Sequence, residues 1–298
     1  MKKISYKPIL LGVLCISVLA SCGSDDDVED NSIDKEVFDP SSSLNTIFDG
    51  KIFSIPSPVQ TAYLIKRLDL SFDESILNDD ANVSEYVSEY QQALNLGVYG
   101  TDLGYSTLYD QKNTSLKYLS SVEKLTSQLG LDAAFDSSFI SRFERNSGNE
   151  DSMIMLMSDA FKKSDNFLKN ANRKTASALI LTGGWIESIY IACQLNDKKD
   201  SPEIKRRIGE QKQSLSSIIE LLQTYNKEGI NDNLIAELIG LKISFDKIIL
   251  NYEYAAPETD EENKLTTFNH SLEVEFTEEV MSEITEKLNN IRNSIIKA

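Results

Sequence analysis

Two four-residue patterns concentrate the chemistry of this chain. Asp102-x-x-Tyr105 and Glu187-x-x-Tyr190 each set a carboxylate and a phenol three positions apart, on one face if the segment is helical. Glycines surround both: Gly97, Gly100 and Gly104 the first, Gly183-Gly184 the second, with Trp185 beside the second pair. A glycine inside a helix costs roughly 1 kcal/mol against alanine. Several of them imply close approach by another helix. If the two segments pack through their glycines, Asp102, Tyr105, Trp185, Glu187 and Tyr190 would line one pocket. Three kinds of chemistry fit that set. The acids could orient a polar ligand while the rings supply stacking area. As a pair, Asp102 and Glu187 could hydrolyse a glycoside, which needs carboxyl groups roughly 5–10 Å apart. Or acid and phenol could simply satisfy one another in the core, as buried polar groups usually do. The five residues form a candidate ligand-binding set, and none is assigned a catalytic role.

The rest of the chain offers little other chemistry. Cys15, Cys22 and Cys193 are the cysteines and His270 is the single histidine. Cysteine–histidine catalysis and multi-histidine metal sites therefore lack material, and Cys193, within Ile191-Ala192-Cys193, reads as a small core residue. No P-loop, G-x-S-x-G elbow, HExxH, CxxC or EF-hand loop occurs. Met153, Met155 and Met157 alternate at spacing two, which is not one helical face, and read as core filling. No cofactor and no metal site is expected. With 47 acidic against 30 basic residues, the formal net charge is −17, which argues against nucleic acid as a partner.

Helical periodicity dominates the elements that must position the two patterns. Ser57-Pro58 opens a first helix with an apolar face of Val59, Ala62, Tyr63 and Leu68. Asn82 with Glu85 resembles a capping box ahead of Val83, Tyr86, Val87, Tyr90, Leu94 and Val98. A stripe from Leu116 to Leu129 closes at Gly130, and shorter helices are expected over 135–143 and 153–168. Thr175 to Leu195 is apolar nearly all round, so it should be a central helix, with the costly carboxylate of Glu187 inside it. Ser201-Pro202-Glu203 opens a helix whose stripe continues to Tyr225. Asn231 to Tyr254 reads as one helix, and Val280 to Ile295 as the last. Only Leu272 to Phe276 alternates like a strand, and it has no evident partner. The expected fold is all-α: antiparallel helix hairpins gathered into a multi-helix bundle. No repeat of fixed period appears, so a standard tetratricopeptide array is not expected, and a looser tetratricopeptide-like or solenoid-like stacking is the alternative.

The N-terminus carries an address. Lys2, Lys3 and Lys7 precede an apolar run from Ile9 to Ala20, far shorter than the roughly 20 residues of a membrane span. Val18-Leu19-Ala20-Ser21-Cys22 resembles a bacterial lipobox, with cleavage before Cys22 and lipid on its thiol. The acidic tract Asp25-Asp26-Asp27-Val28-Glu29-Asp30 then resembles the surface-export signal of Bacteroidetes lipoproteins. The expected organisation is a signal peptide over 1–21, a lipidated acidic tether over 22–43 and a helical domain over 44–298.

The stretches Leu94 to Tyr105 and Ala178 to Ser188 together are similar to a family of helical Bacteroidetes lipoproteins with no established activity. The likeness implies an all-α fold and an envelope location, and it carries no catalytic residues across. The resulting expectation is an outer-membrane lipoprotein, facing outward with the periplasmic face as the alternative, that binds a small polar ligand or an outer-membrane protein. A carboxylate-pair hydrolase and a structural partner of an outer-membrane complex are its rivals.

Overall fold

The computed structural model describes residues 45–55, 66, 70–132, 137–146, 148–260, 265–267 and 271–297. The expectations for the signal peptide, Cys22, the tether, the Ser57-Pro58 helix and His270 lie outside these residues. Within them the architecture is a multi-helix bundle with nine α-helices. They are α1 (Glu89–Leu108), α2 (Lys112–Gln128), α3 (Ser137–Asn146), α4 (Glu150–Asn170), α5 (Lys174–Lys198), α6 (Pro202–Glu210), α7 (Lys212–Thr224), α8 (Asp232–Asp246) and α9 (Glu278–Ile296). Neighbours in sequence pack as hairpins, notably α1 with α2, α3 with α4 and α7 with α8. The most extensive contact is between α1 and α5, the two helices that carry the acid–tyrosine patterns.

These two helices touch backbone to backbone. A Cβ on Gly97 would lie 2.1 Å from the Ile180 carbonyl oxygen, and one on Gly183 would lie 2.0 Å from that of Leu94. Thr101 Oγ1 donates to the Gly97 carbonyl of its own helix at 3.0 Å and to the Gly184 carbonyl of α5 at 3.2 Å. α5 is long and apolar enough to cross a membrane, yet 89% of its apolar window is buried inside the fold, as befits a core helix. Cys193 lies fully buried on it, its thiol pushed up to about 12 by burial.

Several boundaries differ from the sequence reading, each for a local reason. Asn82 and Glu85 do not start α1. Residues Asp80–Ser84 form a 3₁₀ turn, and the helix begins after Ser88. There Ser88 Oγ accepts from the Gln91 N–H while Gln91 Oε1 accepts from the Ser88 N–H, a reciprocal cap. The single helix expected from Pro202 to Tyr225 is two, α6 and α7, parted at Gln211.

The fold also contains strands. β1 (Asn45–Phe48) and β2 (Lys51–Ser54) form a hairpin around Asp49 and Gly50, at φ 49° and 81°. The left-handed pair is the two-residue turn that Asp-Gly favours. Its Phe48 and Phe53 are buried, and Asp49 pairs with Lys174 and accepts from Tyr225 Oη at 2.6 Å. The helix expected to run to Tyr254 stops at Asp246. Beyond it β3 (Ile249–Glu253) pairs antiparallel with β6 (Ser271–Glu275), so the alternating stretch does have a partner. β4 (Glu258–Asp260) and β5 (Leu265–Thr267) form a second short ladder between them.

The glycines separate two kinds of position. Gly97→Ala or Gly183→Ala forces a methyl into a facing backbone and should destabilise by about 1–3 kcal/mol or more. Nothing lies within 4 Å of a Cβ built on Gly240 in α8, so Gly240→Ala should stabilise by up to about 1 kcal/mol. Urea unfolding of the three variants checks the contrast; equal effects would contradict it.

Candidate functional site

The glycine contact brings the two acids into one place. Asp102 on α1 and Glu187 on α5 are both 0% exposed. Arg292, 5% exposed, reaches Glu187 from α9. Its Nε donates to Glu187 Oε2 and its second terminal nitrogen to Glu187 Oε1, both at 2.8 Å, a two-pronged pair. The same terminal nitrogen also donates to the Ile76 carbonyl at 3.2 Å. The guanidinium carbon stacks 4.0 Å from the centroid of the Tyr190 ring. Asp102 Oδ2 accepts from the Asn78 N–H at 3.2 Å, and its Oδ1 has no donor in reach.

Two carboxylates thus face one cation. Burial first, and then the negative charge of Glu187, push the Asp102 carboxyl well above the usual carboxylate range, against the pull of Arg292. Its proton is therefore held to a higher pH than that of an exposed carboxyl. In its protonated form Asp102 adds no second negative charge beside Glu187. In that form the cluster carries no uncompensated charge, because Arg292 is paired with Glu187.

A segment without α-helix covers the cluster. Asp73 to Asp79 includes a 3₁₀ turn at Glu74–Ile76 and is tied down along its length. Tyr105 Oη accepts from the Asp73 N–H at 3.2 Å, Tyr118 Oη donates to the Asn78 carbonyl at 2.9 Å and Tyr99 Oη donates to the Asp79 carbonyl at 2.7 Å. Asp102 and Arg292 add ties at Asn78 and Ile76.

Of the five residues expected in one pocket, the structure joins Asp102, Glu187 and Tyr190. Tyr105 is fully buried and stacks on Phe72, ring centroids 5.1 Å apart, away from Glu187. Trp185 is buried too. Its Nε1 donates to Gln211 Oε1 at 3.2 Å, at the break between α6 and α7. On a helix, positions 185 and 187 point to nearly opposite sides, so tryptophan and acid could not share a face. Arg292 was missed. Its signal was there: it lies four residues past Leu288 on the apolar stripe of α9, a cation where an aliphatic residue is expected.

The arrangement is a closed polar core rather than an open cleft. Grooves do occur elsewhere. The larger, about 470 Å³, lies among Tyr90, Leu94, Glu237, Ser294 and Lys297, and a smaller one among Thr107, Asp110, Lys112 and Phe143. Neither includes Asp102 or Glu187. Among the described residues no group of three or more potential metal ligands comes together. Compared with protein-family models, curated proteins and solved structures, the chain finds no match.

The proton on Asp102 makes a pH prediction. Unfolded, this carboxyl ionises near its ordinary 3.8; folded, it does so only well above. Over that window the folded state holds one proton more, so stability should fall as pH rises, by at most about 1.4 kcal/mol per pH unit. Asp102→Asn keeps the neutral shape and removes the dependence. Its stability relative to the parent should rise as the pH climbs above the ordinary carboxylate range in urea titrations, and parallel curves would refute the assignment. Glu187→Gln strands the buried Arg292 and should instead cost about 3–5 kcal/mol.

Proposed function

We propose that this protein is a lipid-anchored envelope protein, attached to the outer membrane through Cys22, whose helical body is a binding or interaction module. The closure of the acid cluster carries this reading. Both carboxylates are fully buried, one is bound by Arg292 and the other by the Asn78 amide, and the Asp73–Asp79 segment covers them. Chemistry on a glycoside needs an acid and a base that substrate can reach. A small polar ligand oriented by the same pair needs the same access. A buried pair closed off from solvent supports a scaffold, and so favours interaction with a protein of the outer membrane over hydrolysis. The acidic surface fits that role, because net charge far from zero keeps an exposed protein soluble.

Two measurements test the reading. In cells labelled with a palmitate analogue, the full chain should take up label and partition with outer membranes, and Cys22→Ser should do neither. Retention of label or membrane association by that variant would remove the anchor. A thermal-shift screen of the protein against glycans, peptides and small acids should give no stabilisation that Asp102→Asn abolishes. A reproducible shift lost in that variant would restore the ligand cleft, since a ligand bound only to the folded form must raise its Tm.

A further inference from the structure

Eight of the twelve most exposed large apolar side chains among the described residues fall between Ile230 and Leu265. Four lie on β3 and its continuation: Ile249, Leu250, Tyr252 and Tyr254. All five residues of β3 are exposed, and among the described residues β3 pairs on one side only, with β6. An isolated two-stranded ribbon is marginally stable in water, and a sheet of three or more strands is the usual remedy.

The two strands treat their free edges differently. β6 is held to the body, with Val274 packed against Gly209 of α6, and it carries Glu273 and Glu275 on the opposite face. Charges of this kind discourage strand pairing. Paired antiparallel with a copy of itself about its central residue, β6 would set Glu273 against Glu273. β3 carries one charge, Glu253, at its end. Paired antiparallel with itself about Asn251, it sets Ile249 opposite Glu253 and Leu250 opposite Tyr252 of the second copy. No like charges meet, and two aliphatic–aromatic cross-strand pairs form. In a chain of net charge −17, a strand with so little charge is where two copies can approach.

We infer that β3 is the dimerisation edge of this protein, pairing antiparallel with β3 of a second copy about a two-fold axis at Asn251. The product is a four-stranded sheet in the order β6-β3-β3-β6. The face bearing Leu250, Tyr252, Leu272 and Val274 doubles in area. The interface is self-complementary and closed, so it stops at two copies. It does not depend on lipid at Cys22, so its test is separate from that of the anchor.

The two-fold axis places the Asn251 side chains of the two copies opposite each other, with Cβ atoms about 4.5–5.5 Å apart. Relaxation of well under 2 Å closes that gap to a disulfide. Under mild oxidation the full chain bearing Asn251→Cys should give a covalent dimer whose 251–251 link is identified by mass spectrometry. Glu275→Cys, across the ladder on β6, should give no 275–275 link. In sedimentation velocity the parent chain should run as a dimer, and Leu250→Lys with Tyr252→Lys as a folded monomer with unchanged circular dichroism. A monomeric parent that forms no 251–251 link overturns the proposal. So does a dimer that survives the two lysines, or a β3 edge taken instead by the strand of a different protein.

Discussion

Everything in the bundle follows from the contact of two backbones. Where Gly97 and Gly183 meet the carbonyls of the opposite helix, α1 and α5 come closer than side chains normally permit. At that distance the residues a turn further along, Asp102 and Glu187, cannot avoid one another. Two acids in a dry interior are untenable unless one is neutral or both are paired. Here Arg292 pairs with Glu187, and burial shifts Asp102 towards its neutral form. The polar cluster is thus a consequence of the packing, and α9 and the Asp73–Asp79 segment are held where the cluster needs partners.

Helix stripes were the most legible part of the sequence. Leu119, Val122 and Leu125 in α2, and Ile284, Leu288 and Ile291 in α9, are buried at helical spacing, and α5 is central as its all-round apolar character implied. Strands were less so. Ile248 to Tyr254 is apolar and aromatic enough to extend a helix or to begin a strand, and a short run of this kind has no period to decide between them. Only its distant partner, Ser271–Glu275, decides. The Asp49-Gly50 hairpin, by contrast, carried a usable turn signal within the sequence.

The candidate site was half legible. The acids stood out because carboxylates are rare in apolar helices, and the glycines correctly implied that their two helices meet. Direction within a helix turn decided the remainder. Trp185 and Glu187 are too close in sequence to share a face, and Tyr105 turns towards Phe72 and the covering segment. The cation was the hardest to see, because Arg292 is far from both acids along the chain and looks at first like a flaw in an apolar stripe.

That separation sets an order of events. Glu187 and Arg292 are 105 residues apart. At a synthesis rate of about 5–20 residues per second, the acid-bearing helix is made roughly 5–20 s before its counter-ion exists. Until then α5 can dock on α1 only without the ion pair that holds Glu187 in the finished fold. Arrival of α9 supplies it. A chain that must be threaded across a membrane before it folds would gain from such timing, since its central ion pair closes only when the last helix is delivered.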